Sequence, residues 1–209
     1  MLDLILPLEC GGCGAPSTRW CPACAAELTA RADEPRLVTP RLDPGVPVLS
    51  LGRYAAARRQ AIVAMKEHGR ADLVAPLAAA LHTGLSRLLG WGLLEAPLIL
   101  VPAPTRRMAA RRRGGDPVTR VAQRATTDIP GITVRRALRL TGRTRDSVGL
   151  SSADRQRNLA GRVRLTRPVP GPAVIVDDVV TTGATACESV RALQTAGVQV
   201  LAVLALANA

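Results

Sequence analysis

The stretch Ala173-Val174-Ile175-Val176-Asp177-Asp178-Val179-Val180-Thr181-Thr182-Gly183-Ala184-Thr185 decides how the rest of the chain is read. Four consecutive apolar residues make a strand buried on both faces, as in a parallel sheet covered by helices. In such sheets ligands sit outside the carboxyl ends of the strands, and this strand delivers Asp177 and Asp178 to that edge. The chain then turns into a helix. Gly183 lets the backbone take a positive φ and come close to a ligand. Successive N–H groups at the helix start form a nest for a phosphate, and Thr181, Thr182 and Thr185 add hydroxyl donors. Adjacent carboxylates repel phosphate but accept hydrogen bonds from vicinal hydroxyls. A five-membered sugar with a 5′-phosphate and free 2′ and 3′ hydroxyls satisfies both halves together. The competing account is a plain strand-to-helix turn with two solvated acids. A lone Thr-Thr-Gly would call for it, but the full run is far more specific. The Lys-Ser/Thr ending of a Walker A loop is missing.

Working outward, strands alternate with helices. Val48–Tyr54 reads as a strand, Ala55–Glu67 and Leu73–Leu89 as helices, and Leu98-Ile99-Leu100-Val101 as a buried strand stopped by Pro102-Ala103-Pro104. Arg106–Ala125 reads as a helix interrupted by Gly114-Gly115 and Pro117, Ile132–Leu140 as a strand, and Thr141–Gly149 as a polar loop. Ser151 caps a short helix through Leu159. A helix over Thr185–Ala196 and a strand over Val198–Ala205 complete the chain. The pattern predicts an α/β fold with a mainly parallel sheet flanked by helices.

Composition agrees. The apolar fraction is 47%, enough for a core, yet there is no Phe, one Tyr and two Trp, so Ala, Val and Leu do the packing. The net charge is +12, and residues 106–167 carry seventeen arginines against four aspartates. Such a window favours polyanions, whether nucleic acid, a membrane surface or a compact phosphate ligand; a general preference for Arg is the alternative source. With aromatics at 1%, almost nothing is available to stack on bases. The apolar stretch Leu88–Pro104 is too short and too interrupted to span a membrane, and Met1–Leu8 lacks a basic region typical of a signal peptide. The expected compartment is the cytoplasm.

Cys10-x2-Cys13 and Cys21-x2-Cys24 form two paired hooks. In a reducing compartment they supply four thiolates to a tetrahedral Zn2+; two disulfides are the competing use. Residues 1–47 therefore read as a small cysteine-bearing unit with a Pro-rich linker from Pro35 to Pro47, and residues 48–209 as the α/β domain. Cys187 reads as a core residue, and His68 and His82 as surface or packing residues.

The segment Val174–Thr185 resembles the ribosyl-phosphate loop of the type I phosphoribosyltransferases. A four-cysteine knuckle ahead of such a domain resembles the ComF family, associated with competence and DNA uptake. Tyr54, Lys66-x2-Gly69, Val101-Pro102-Ala103-Pro104, Arg113-Gly114 and Arg155-x2-Asn158-Leu159 fit that resemblance. Gly115-Asp116 stand where the family usually has Phe-Asn, and Ser147 where it often has Gln. The resemblance implies phosphoribosyl pyrophosphate or a nucleotide as ligand, Mg2+ as cofactor, and transfer of the phosphoribosyl group to an acceptor it leaves open. Asp177 and Asp178 are then the catalytic pair on the ribose hydroxyls, and Val179, Thr181, Thr182, Gly183, Ala184 and Thr185 bind the 5′-phosphate.

The strand end Val101–Thr105 with Arg106 and Arg107 is the candidate pyrophosphate loop, and Lys66 a further phosphate contact or simply a helix-terminal cation. Loop 141–149, with Arg143 and Arg145, is read as a lid carrying Asp146 as a candidate base. Two other readings stay open. One is a non-catalytic phosphoribosyl-ligand sensor or partner of a DNA-uptake helicase. The other is phosphate-led, salt-sensitive contact with single-stranded DNA.

Overall fold

The computed structural model describes residues 8–29, 31–105, 116–141 and 161–209. Arg106, Arg107, Arg113-Gly114-Gly115, the greater part of the 141–149 loop and the Ser151–Leu159 helix with Arg155 and Asn158 lie outside the described residues.

Six strands form one sheet in the order β1 (Arg36–Leu37), β2 (Val48–Ser50), β8 (Val200–Asn208), β7 (Ala173–Val180), β3 (Leu98–Pro102), β4 (Ile132–Val134). Every neighbouring pair is parallel except β1 with β2. A separate antiparallel pair joins β5 (Leu138–Leu140) to β6 (Val163–Leu165). The helices are α1 (Pro22–Leu28), α2 (Ala56–Glu67), α3 (Val74–Gly90), α4 (Pro117–Ala125) and α5 (Ala184–Gln194).

The period of two along each strand sorts the core into two layers. Leu98, Leu100, Val174, Val176, Leu204 and Leu206 face one way, onto Ile62 and Met65 of α2, Leu77, Leu81 and Leu85 of α3, and Val118 and Val121 of α4. Ile99, Val101, Ala173, Ile175, Val203 and Ala205 face the other, onto Val190 and Leu193 of α5 and Leu138 and Val163 of the β5–β6 pair. Leu dominates the first layer and Val, Ala and Ile the second, which is how the sheet is covered without Phe.

The segment Ala71–Gly90, which contains α3, is by length and composition apolar enough to cross a membrane, and half of it is buried inside the protein. Its apolar side chains are occupied by the sheet and by α4, and His82 Nδ1 lies 2.9 Å from the Ala125 carbonyl oxygen.

Several elements differ from expectation. Ile132–Leu140 splits into β4 and β5, which belong to different sheets, because Arg135-Arg136 cannot continue a buried strand between apolar layers. The last strand runs from Val200 to Asn208, and α4 begins only at Pro117, capped by Asp116. Residues 35–47 do more than connect: Arg36–Leu37 extend the sheet, and the Leu42 N–H donates to the Thr182 carbonyl at 2.9 Å. Pro-rich backbone suits that use, since it holds an extended path at little entropic cost.

Candidate functional site

Strand order places the site. From the adjacent pair β3 and β7, the chain proceeds to β4 on one side and to β8 on the other. The crevice between the carboxyl ends of β3 and β7 is thus a topological switch point, the usual ligand position in open α/β sheets. Pro102 pairs with Val176, and the Ala103 N–H donates to the Val176 carbonyl at 2.8 Å. The strand end Pro102–Thr105 therefore lies directly beside Asp177.

β7 continues through both acids to Val180 instead of stopping at Val176. Asp178 is buried, 5% exposed, and its Oδ2 pairs with Lys66 Nζ at the end of α2, 2.5 Å away. Its Oδ1 accepts the Val179 N–H at 2.7 Å. Lys66 is thus engaged by a carboxylate. Burial by itself pushes the Lys66 ammonium down, but the Asp178 carboxylate overrides this and the net shift is upward. Asp177 is half-buried, and its Oδ1 accepts the Asp178 N–H at 2.8 Å. Burial, and then the neighbouring Asp178 carboxylate, push the Asp177 carboxyl up to about 7, against the pull of Lys66.

That shift carries a stability signature. A carboxyl raised from the usual range to about 7 binds its proton more tightly in the folded state. The fold therefore loses stability as pH rises from about 4 to about 7. Asp177→Asn keeps the acceptor oxygen and removes the titration. The variant is expected to exceed the wild type by roughly 1–2 kcal/mol at pH 8, with the gap closing at pH 4. Urea denaturation at both pH values measures this; a gap independent of pH contradicts it.

Beyond the acids, Thr181 is exposed, Thr182 and Thr185 are partly exposed, and Gly183 and Ala184 are buried. Gly183 has φ +86, and a Cβ there would collide with the Leu42 carbonyl oxygen and the Pro40 ring. Glycine is required for both reasons. Gly183 is also the N-cap of α5 and has no side chain to cap it; the Ala184 N–H donates to Thr182 Oγ1 at 3.4 Å, and the N–H groups that follow it are the donors left for an incoming acceptor. Cys187 is half-buried beneath the same strap, and its thiol donates to the Leu42 carbonyl at 3.6 Å.

The four N-terminal cysteines form a second centre. The Sγ atoms of Cys10, Cys13, Cys21 and Cys24 all lie within 4.8 Å of one another, with Cys13 and Cys21 at 3.6 Å. A tetrahedron with metal–sulfur bonds of about 2.3 Å requires sulfurs roughly 3.8 Å apart. The donor set thus fits a metal ion such as Zn2+. Cys10 Sγ accepts the Gly12 and Cys21 N–H groups at 3.5 and 3.3 Å. Burial raises the Cys10 thiol, but the backbone donors of Cys13, Cys21 and Gly12 outweigh it and hold the group at about 6. Cys24 is pushed well up, by burial and then by the neighbouring sulfurs. A divalent cation removes that penalty.

The cysteine unit is clamped to α2. Glu27 Oε1 accepts the Ala57 N–H at 3.1 Å, and the buried Arg58 donates to the Leu28 carbonyl at 3.2 Å and the Leu206 carbonyl at 3.1 Å. The helix that carries Lys66 therefore bridges the cysteine unit and the sheet. No residue-level signal in the sequence announces Arg58 as buried.

A cavity of about 300 Å³ opens at the end of β3, lined by Pro102–Thr105, Asp116, Thr119, Arg136, Leu138, Arg139, Thr166 and Arg167. Sequence reasoning assigned part of it, the strand end Val101–Thr105, to pyrophosphate. It missed Arg136, Arg139 and Arg167, which are indistinguishable by pattern from their many neighbours in the basic window. No protein-family model matches the chain, and no curated protein matches it.

Proposed function

We propose that the protein is a phosphoribosyltransferase that binds phosphoribosyl pyrophosphate on residues 177–185, as the resemblance to the ComF family and the type I phosphoribosyltransferase fold suggests. The observation that carries this reading is the placement of Asp177-Asp178, followed by a helix start whose N-cap is Gly183, at the switch point between β3 and β7. A ribose hydroxyl donates to Asp177, with Asp178 fixing the strand end through Lys66, and the 5′-phosphate accepts from the backbone and hydroxyls of Thr181–Thr185. Pyrophosphate lies along Pro102–Thr105, with Arg106 and Arg107 beyond the described residues.

In the reaction, a nucleophile's lone pair forms the new bond at the anomeric carbon while the carbon–oxygen bond to pyrophosphate breaks. Pyrophosphate leaves with that bonding pair, and any proton on the nucleophile passes to solvent. The protein acts by positioning and by charge. Asp178 has both oxygens engaged, one by Lys66, so it orients the site while Asp177 Oδ2 remains available to a sugar hydroxyl. Mg2+, when bound, neutralises charge on the leaving group. The donor set fits an ion carried mainly by ligand oxygens and water, with Asp177 as the carboxylate that can hold it.

Calorimetry with phosphoribosyl pyrophosphate and Mg2+ tests the reading. Asp177→Asn with Asp178→Asn is expected to weaken binding about tenfold or more, since hydrogen bonds to charged groups contribute ~1.5–3 kcal/mol. Pyrophosphate release in the presence of an acceptor panel then distinguishes a transferase from a sensor. Unchanged affinity in the double variant places the ribose elsewhere.

A further inference from the structure

The strap between β1 and β2 meets the 181–185 turn through its backbone. The Leu42 N–H donates to the Thr182 carbonyl at 2.9 Å, and the Leu42 carbonyl accepts the Cys187 thiol at 3.6 Å. The same carbonyl and the Pro40 ring fill the space where a Cβ on Gly183 would stand. The strap has its own anchors, independent of the turn. The Val38 N–H donates to the Val48 carbonyl at 2.8 Å, the Pro47 carbonyl accepts the Val203 N–H at 2.9 Å, and Asp43 Oδ1 accepts the Gly45 N–H at 2.8 Å. Val38 and Val46 pack against the second core layer, and Pro40 and Pro44 restrict the backbone between them. A stiff segment fixed at both ends therefore holds one peptide of the turn.

That hold sets the direction of one amide. The Thr182–Gly183 peptide is trans, so its carbonyl and its N–H point opposite ways. With the carbonyl tied to Leu42, the Gly183 N–H faces away from the strap, and among the described residues no acceptor meets it. The Thr185 and Ala186 N–H groups precede the first intrahelical bond, which Cys187 makes to the Gly183 carbonyl at 2.9 Å. Glycine has the freest backbone of any residue. Without the strap the peptide before it would be free to turn over and show a carbonyl oxygen, which repels phosphate, in place of the N–H. Resting on the reading of residues 177–185 given above, we infer that Pro40 and Leu42 are positioning residues of the 5′-phosphate subsite. They hold the Thr182–Gly183 peptide in the orientation that offers the Gly183 N–H, beside those of Thr185 and Ala186, to a phosphate ester. They act through the turn, from its far side. The donors are then fixed before the ligand arrives, and binding is spared the entropy of ordering them.

The test is calorimetry on the full chain with ribose 5-phosphate and inorganic pyrophosphate as separate probes, each with Mg2+. Wild type is compared with Pro40→Gly, which loosens the strap, and with a protein whose Leu42 amide is replaced by an ester. The ester deletes the N–H and keeps the side chain. Melting temperatures confirm that each variant is folded. Both variants are expected to bind ribose 5-phosphate about tenfold more weakly than wild type, the cost of ordering about one residue on binding. Their affinity for pyrophosphate, which the same reading places at Pro102–Thr105, is expected to equal that of wild type. Ribose 5-phosphate affinity unchanged in both variants overturns the inference and leaves the phosphoribosyl reading intact. A parallel loss for both probes also overturns it, since the strap then supports only the fold. Wild type that does not bind ribose 5-phosphate at millimolar concentration overturns the reading of residues 177–185 and this inference with it.

Discussion

Lys66→Met is expected to cost the fold about 2–4 kcal/mol at pH 8, because it strands a buried carboxylate. Asp178 is 7% exposed at its side chain, and its partner Lys66 sits 2.5 Å away with 30% of its own side chain exposed. Removing one partner of a buried pair typically costs 3–5 kcal/mol, and the partial exposure of Lys66 sets the lower end. The pH dependence has a definite sign. Lys66 holds Asp177 down, so its loss lets Asp177 titrate higher than the wild-type value of about 7. The variant therefore loses further stability as pH rises through neutrality, and its deficit is smaller at pH 5 than at pH 8. Adding Asp178→Asn to Lys66→Met removes the unpaired charge and is expected to restore most of the loss. Urea denaturation of the two variants at both pH values measures it. A deficit below about 1 kcal/mol, or additive losses in the double variant, contradicts the pairing.

Metal removal gives the other large effect. The protein purified without chelator is expected to contain close to one zinc per chain, and a strong chelator to lower its melting temperature by about 10 °C or more. The unit around Cys10, Cys13, Cys21 and Cys24 has little core of its own: its local hydrophobic cluster is Cys10 and Cys24 with Ala57 of α2. Structural zinc supplies roughly 10–16 kcal/mol in isolated zinc-finger peptides, and a few kcal/mol reaching the domain is enough for that shift. The route is physical: Leu28 belongs to the main core, and Arg58 and Ala57 bond to the end of α1. Cys24→Ser is expected to be more damaging than Cys13→Ser, since Cys24 is buried and Cys13 exposed. A melting temperature insensitive to chelator, in protein with negligible metal, contradicts the site.

What could be read from residues alone was whatever depends on local pattern. Leu98–Val101 and Ala173–Val176 are apolar runs too short for helices and flanked by turn residues, so their place as inner strands was legible. Gly183 in a left-handed conformation followed from the Thr-Thr-Gly turn, and the closeness of the four sulfurs followed from two paired hooks. Each of these is fixed within a dozen residues of chain.

The tertiary structure decided everything that depends on which segments meet. Lys66 could be placed at the end of a helix, but only the packing of α2 on β7 sets it against Asp178, 112 positions away in the sequence. The Pro35–Pro47 segment had the composition of a linker, and only its return over Gly183 shows it as a strap on the Thr182–Gly183 turn. Arg58 looked like any helix-surface arginine until Leu28 and Leu206 closed over it. Arg136, Arg139 and Arg167 were three among seventeen in their window, distinguished only by lining one cavity. Local pattern encodes strands, turns and metal hooks because their energies are set by neighbours in sequence. Charge pairing and cavity lining are set by neighbours in space, which only the assembled sheet and its covering helices define.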